Sequence, residues 1–430
     1  MGENKFNLAL LQEADLKDKA VLVRVDHNVV KKGKIHDPYR IDATIGTLYY
    51  IASKGGKPIL MTHVGRPKDK KTGDIIVSDD SSVKAVADYL EKKLQVKFVI
   101  PELPPDGGRG IVNVAGPLAP YVDKLRSGTI DALYLPNIRW FAGEQAKGDD
   151  AEKFAAELAG LADVYVNDAF GSWQAHTSTV RLNKHLPYYA GFLMQKEVDN
   201  LAKIYEPGRP FVAVVAGSKF DTKIDSMFAL LKLADHIIMG GVMYNAYIAA
   251  KYGFSIAGLE EDDLAAARRF AEEAAKYPGK VVELPYIIES DTFEGKVEGK
   301  YRTHDIRKIA AGTKLNFVLD IAAQSFEDEN VKPIIANARM FFVNAVMGLT
   351  PHFSEGTIAL DKAIDNNKDA SKLFGGGDTL QDMKQFAPEI YYKAIDDPKY
   401  YMFTGGGAVL TAIQEGTVLG IEPVKALVKK

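Results

Sequence analysis

The chain has 430 residues, 47% of them apolar and 26% charged, with no cysteine. That length and composition fit two sizeable globular domains and exclude a disordered or collagen-like chain; a disulfide framework, a thiolate metal site and a Cys nucleophile are excluded as well. Lys and Arg number 54 against 57 Asp and Glu, a net charge of −3, and the balance is +1 over residues 1–200 and −4 over the rest. No global basic field therefore makes nucleic acid or an anionic membrane a default partner.

Short apolar runs rich in β-branched residues alternate with longer helical patterns. In chain order the expected strands are AVLVRVD (20–26), KPILMTH (57–63), ALYLPN (132–137), DVYVND (163–168), FVAVVAG (211–217), HIIMGG (236–241), LNFVLD (315–320) and MFFVNA (340–345). Helical patterns lie between them, for example over 80–95 and 262–277. Alternation of this kind gives βαβ units and a mostly parallel sheet, and continuous apolar strands are those buried on both faces. The series occurs twice, over roughly 20–185 and again from Phe211, with an amphipathic segment at 191–210 between. The fold class is α/β: two Rossmann-like, three-layer αβα domains with parallel sheets, joined by a hinge helix. The expected bounds are 1–190, a connecting helix at 191–208, and 209–411. No apolar run reaches the ~18 residues of a membrane span. The first residues, MGENKFNLALLQEADLKDK, have no secretory h-region, and the expected location is the cytoplasm.

Ligands of open α/β sheets bind beyond the carboxyl ends of the strands. There the sequence collects Asp26, Asn28, Arg40, His63, Arg66 and Arg139. Guanidinium forks bind carboxylate and phosphate bidentately, so several Arg residues on loops of one domain point to a small, strongly anionic ligand. In the second half, FGGGDT (374–379) and TGGGA (404–408) each precede a helical pattern. Such loops offer free backbone N–H groups and a positive helix end to phosphate. Asp378 can reach Mg²⁺, and Lys219 and Lys223 follow FVAVVAG in GSKFDTK. Asp168 and His176 read as structural, and Trp140 and Trp173 as packing residues. No G-x-x-x-x-G-K-[ST], G-x-G-x-x-G or G-x-S-x-G occurs, and no two of the eight His residues form an H-x-x-x-H pair. Those absences argue against a P-loop enzyme, a dinucleotide-binding dehydrogenase, a serine hydrolase and a zinc enzyme.

In order, VRVDHNV, THVGRPK, LPNIRWFAGE, YVNDAFG, GSKFDTKI and GGGDT resemble phosphoglycerate kinase over nearly the whole chain. The resemblance implies reversible, Mg²⁺-dependent phosphoryl transfer between ATP and the carboxylate of 3-phosphoglycerate, giving 1,3-bisphosphoglycerate and ADP. It implies a phosphoglycerate site in the N-terminal domain at Asp26, Asn28, Arg40, His63, Arg66 and Arg139, with Gln174 in doubt. Arg40 and Lys219 would be catalytic. It implies a nucleotide site at Gly217, Lys219, Lys223, Gly240, Gly241, Asn344, Gly376, Gly377, Asp378, Thr379, Gly405 and Gly406, with Asp378 at the metal. It further implies a monomer whose tail, about 412–430, packs back on the N-terminal domain. The chain departs from the family in several places. Gln174 stands where an Arg is expected. Pro351 stands where a ribose-holding Glu is expected. Val242 and Val318 replace glycines on the adenine side. These changes concentrate on the nucleoside and predict an altered base and ribose pocket. Two rivals are weighed beside the kinase: a catalytically impaired relative that still binds a phosphorylated ligand, and, more distantly, a nucleotide-dependent oxidoreductase.

Overall fold

The computed structural model describes residues 4–430. The chain forms two compact units: one runs through Asp199 and takes in Leu419–Lys430, the other is Asn200–Val418.

The first unit is built on β1 (Ala20–Arg24), β2 (Lys57–Met61), β3 (Phe98–Val99), β4 (Ala132–Tyr134), β5 (Val164–Asn167) and β6 (Tyr188–Ala190). They form one six-stranded sheet in the order β3-β4-β2-β1-β5-β6. Every neighbouring pair is parallel. Side chains alternate across a strand, so β1 divides its residues between two cores. Ala20 and Leu22 pack with Leu118 and Leu125 of α3 (Ala115–Arg126) and Phe154 and Leu158 of α4 (Gly148–Ala159). Val21 and Val23 pack with Leu48 and Ile51 of α1 (Ile45–Ser53) and Val86 and Leu90 of α2 (Lys84–Leu94). The result is a three-layer αβα sandwich. Arg24 is in register with Met61 and Asn167, so β1, β2 and β5 end level. The tail belongs to this unit: Ala9 N–H donates to the Leu427 carbonyl at 2.9 Å, Asn183 Nδ2 donates to that of Ala426 at 2.7 Å, and Ile421, Val424 and Leu427 are buried.

α5 (Phe192–Ala202) crosses the unit boundary and is shorter than the 191–210 pattern suggested. The second unit holds β7 (Phe211–Gly217), β8 (His236–Gly240), β9 (Val281–Val282), β10 (Tyr286–Ser290), β11 (Tyr301–Asp305), β12 (Phe317–Ile321), β13 (Met340–Asn344), β14 (Ser371–Gly375) and β15 (Tyr400–Phe403). Six of them form a parallel sheet in the order β9-β8-β7-β13-β14-β15. Its helices include α6 (Ile224–Leu233), α7 (Gly241–Tyr252), α8 (Glu261–Ala274), α9 (Glu355–Asn366), α10 (Gly377–Phe386), α11 (Pro388–Asp396) and α12 (Gly406–Glu415). Among the described residues no helix is long and apolar enough to cross a membrane.

One strand is placed differently from its expectation. The run LNFVLD does not join the parallel sheet: its β12 part lies in a separate antiparallel sheet, β11-β10-β12. β11 is an edge strand reading YRTHD, whose Arg302 and His304 reach Glu289 on β10 at 2.8 and 2.6 Å. A charged outer strand of this kind suits an antiparallel sheet open to water on one side.

Candidate active site

In the first unit the carboxyl ends of β1 and β2 open onto loops that bring a group of cations together. Arg24, on β1, is fully buried. Its guanidinium donates from Nε to Ser178 Oγ at 2.9 Å and from NH1 to the Val25 carbonyl at 2.5 Å, and NH2 lies 3.1 Å from His63 Nδ1. Ser178 in turn donates to the buried Glu144 from Oγ at 2.7 Å and from its backbone N–H at 2.9 Å. This hydrogen-bonded chain fixes His63 from below. Burial, reinforced by Arg24 and then Arg139, holds the His63 imidazole well below its ordinary range, so it is neutral. His176 falls to about 4 through burial and then the Arg139 charge.

Above this chain lie the residues singled out in the sequence. Arg40 NH1 donates to Asp26 Oδ2 at 3.3 Å, and Asp26 Oδ1 is buried with no partner. Asn28 Oδ1 accepts the Gly65 N–H at 2.8 Å. Arg139 NH1 donates to the Gly65 carbonyl at 2.7 Å and NH2 to Gln174 Oε1 at 3.3 Å, while its Nε is buried and unpartnered. Burial first, then Arg24, lowers the affinity of Arg139 for its proton, with Arg66 adding to the effect. Asp26, Asn28, Arg40, His63, Arg139 and Gln174 are thus gathered at one face, with Arg66 exposed beside them. Uncompensated guanidinium N–H and clustered positive charge are the chemistry that suits a polyanion.

Asp168 stands apart in kind. Its Oδ1 accepts the Met194 N–H at 3.1 Å, and burial raises its carboxyl to about 7. A Cβ on Gly191 would come within 2.2 Å of that oxygen, so Asp168 is wedged into the backbone at the start of α5. Trp140 is buried, with Nε1 donating to Ser81 Oγ at 3.0 Å, and Trp173 lies at the surface. Sequence reading missed Arg24, Glu144 and Ser178. An Arg interrupting the apolar strand AVLVR is the signal that exposes the first of them.

The second unit has a cavity of about 650 Å³ at the carboxyl ends of β7, β13 and β14. Lys223, at the start of α6, donates to the Ala216 carbonyl at 2.6 Å and to Asn344 Oδ1 at 2.9 Å. Asn344 Nδ2 donates to the Gly375 carbonyl at 2.6 Å, which ties three strand ends together. Burial lowers the Lys223 ammonium to about 8, against the opposing pull of Asp378. Gly376 caps α10 at φ +114°, where a Cβ would meet Asn344 Nδ2 at 2.7 Å. The N–H groups of the first turn of α10 therefore face the cavity without side-chain obstruction, an arrangement that suits phosphate. Lys219 also lines the cavity and pairs with Glu260 at 3.3 Å.

Gly217, Lys219, Lys223, Gly241, Asn344, Gly376, Gly377, Asp378 and Thr379 line this cavity together. Gly240, Gly405 and Gly406 do not. Gly240 packs under Met347, whose Sδ would lie 2.6 Å from an added Cβ, and Gly406 packs on the backbone of Gly376. Gly240 and Gly406 shape the floor rather than the wall. The far wall is apolar, with Leu259, Phe293, Phe317, Val318 and Leu319, and Phe293 stands edge-on to Phe317 with ring centroids 5.4 Å apart. Val242 and Val318 both line it. Thr350 is part of the lining and Pro351 is not. Among the described residues no group of three His, Asp or Glu can hold a metal ion alone. Asp378 lines the cavity at the start of α10, and a carboxylate together with substrate phosphates is a common way of holding Mg²⁺.

A family model described as phosphoglycerate kinase matches residues 11–416. A phosphoglycerate kinase of Desulforudis audaxviator is 33% identical over 422 residues, covering 96% of this chain and 97% of that protein. One from Leptospira biflexa is 33% identical over 424 residues, covering 97% and 98%. Among solved structures, phosphoglycerate kinase from Coxiella burnetii superposes with a TM-score of 0.73 at 27% identity and 98% coverage of both chains. The Pyrococcus horikoshii phosphoglycerate kinase gives 0.75 at 22% identity, with 98% of both chains covered, a likeness of fold.

Proposed function

Since the chain belongs to the phosphoglycerate kinase family, whose function is glycolytic phosphoryl transfer, we propose that its two clusters divide the two substrates of that reaction between them. The cationic cluster of the first unit takes 3-phosphoglycerate or 1,3-bisphosphoglycerate, and the cavity of the second takes ATP or ADP. The observation that carries this assignment is the pairing of chemistries. One unit gathers guanidinium groups with a buried, unpartnered Nε on Arg139. The other joins a glycine-capped helix start to an apolar wall inside one cavity.

The acceptor in either direction is a carboxylate or a phosphate oxygen, already ionised at neutral pH. No general base is required, and the neutral His63 is consistent with that. Catalysis rests on position and charge compensation. Arg40 and Lys219 neutralise the phosphoryl group in transit, Lys223 and the first turn of α10 hold the remaining phosphates, and Asp378 holds Mg²⁺. The ion, when bound, supplies further charge neutralisation on the phosphate oxygens. The same reading makes the protein a cytoplasmic monomer, for which sedimentation should give a single species near 47.1 kDa.

A coupled assay with 3-phosphoglycerate, Mg²⁺ and a panel of nucleoside triphosphates tests the assignment. Turnover should fall by about a hundredfold or more in Arg40→Ala, the scale of losing one transition-state donor. Full activity in that variant would remove Arg40 from the site. A folded protein inactive with every nucleotide would point instead to a relative that binds without catalysis.

A further inference from the structure

The nucleotide cavity contains one carboxylate that the phosphate chemistry does not use. Asp382 lines the cavity, is only 7% exposed, and its Oδ2 has no hydrogen-bond partner. A buried carboxylate oxygen without a partner is costly, and native structures rarely keep one without a use.

Its place in the cavity is intermediate. Asp382 lies four residues beyond Asp378 on α10, about one turn or 6 Å along the axis, so both project from the same helix face. It stands beside Thr350, whose hydroxyl interacts with it. The preceding residue, Leu349, donates its N–H to the Leu319 carbonyl at 2.8 Å, and Leu319 belongs to the apolar wall. The order along the cavity is therefore helix start, Asp382 with Thr350, and apolar wall. In a nucleotide the matching order is phosphates, sugar, base. The polar group that a sugar offers is a pair of vicinal hydroxyls, both donors, and a carboxylate is an acceptor-only group able to take both. Asp361 and Asp378 are the charged groups near Asp382, but among the described residues no three carboxylates converge to hold a second cation.

We propose that Asp382 accepts the ribose hydroxyls of the bound nucleotide and sets the preference of this enzyme for ribonucleotides over deoxyribonucleotides. This rests on the assignment of the cavity to ATP and ADP. It also supplies, from α10, an acceptor that the loop at Pro351 does not.

The test is a calorimetric titration of ADP, 2′-deoxy-ADP and 3′-deoxy-ADP in the presence of Mg²⁺. The wild-type protein should bind at least one deoxy analogue about tenfold or more weakly than ADP, the scale of a hydrogen bond to a charged acceptor. Asp382→Asn should reduce that ratio to about threefold. Asp382→Leu should abolish it while leaving binding of tripolyphosphate unchanged. Equal affinity of the wild type for all three nucleotides would overturn the proposal without any variant being made. A ratio unchanged in both variants would overturn it too, as would an intact ratio accompanied by an altered Mg²⁺ requirement, which would make Asp382 a cation ligand. Normal turnover with ATP alongside any of these results leaves the kinase assignment standing. Failure to bind any nucleotide removes both.

Discussion

Arg139 and Lys223 show how single residues prepare these sites by being held away from their preferred state. Lys223 is buried and bonded to a carbonyl and an amide oxygen, neither of which carries charge. Its ammonium is therefore under-compensated and titrates near 8 instead of 10.5. A phosphate placed against it restores the charged form. Nucleotide binding should then take up close to one proton at about pH 8–9, and ADP affinity should fall by up to about tenfold per pH unit above 8. Calorimetry in two buffers of different ionisation enthalpy measures the uptake directly; an affinity independent of pH between 7 and 9 would contradict it. Arg139 touches Gln174 through a neutral amide at 3.3 Å. Gln174→Arg would put a second guanidinium at that edge of the polyanion site. The KM for 3-phosphoglycerate should drop by about three- to tenfold with kcat little changed, the worth of one charge-assisted contact at a partly exposed position. The outer members of both clusters were legible in the sequence as candidates, because loop residues at strand ends announce themselves by type. The inner ones were not. Glu144 and Ser178 act through Arg24, and a chain of contacts across 154 residues leaves no local pattern.

At the scale of elements, the two glycine loops are one device. Gly406, at the start of α12, lies so close to Gly376 that an added Cβ would sit 2.5 Å from the Gly376 backbone nitrogen. α12 thus sets the height of the loop that caps α10. Gly406→Ala should push that loop into the cavity, weaken ADP binding by about tenfold or more, and cost about 1–3 kcal/mol of stability by overpacking. Gly116→Ala, in α3 of the first unit, is the control, since nothing lies within 4 Å of a Cβ there. Thermal melts and ADP titrations on the pair decide the point; equal effects of the two substitutions would detach α12 from the site. The sequence pattern identified two triple-glycine loops at helix starts but assigned the same task to each. Only the packing shows that one lines the cavity and the other packs behind it. The antiparallel sheet was hidden for a similar reason. LNFVLD is as apolar as a parallel core strand, and β11, on the far side of β10 from it, reads YRTHD, so neither run carries the alternation that marks a half-exposed sheet.

For the whole molecule, buried titratable groups are distributed unequally between the two units, and the signs oppose. The first unit holds three histidines in neutral form, His27 at about 3 and His63 well below its ordinary range, both buried, and the half-buried His176 at about 4, each lowered chiefly by desolvation. A histidine with a depressed folded pKa contributes stability above the unfolded value near 6.5 that is lost as pH falls. Two buried acids of this unit, Asp168 at about 7 and Glu144 raised by burial, act in the other direction. Between pH 6.5 and 4.5 the histidines outnumber the acids, so the stability of this unit falls on acidification. The second unit has no comparable histidine among those with a resolved shift. Burial raises Asp320 to about 7 and Asp361 to about 8 there. An acid with a raised folded pKa contributes stability below its unfolded pKa that is lost as pH rises through the folded one. Acidification from pH 7.5 to 5 should therefore stabilise the second unit while it destabilises the first. Both tryptophans, Trp140 and Trp173, lie in the first unit, so their fluorescence follows that unit alone. On going from pH 7.5 to 5 the fluorescence midpoint in urea should move down and a second, tryptophan-silent transition seen by circular dichroism should move up. Coincident midpoints at both pH values would show that the units unfold as one and that their opposing linkages cancel inside a single transition.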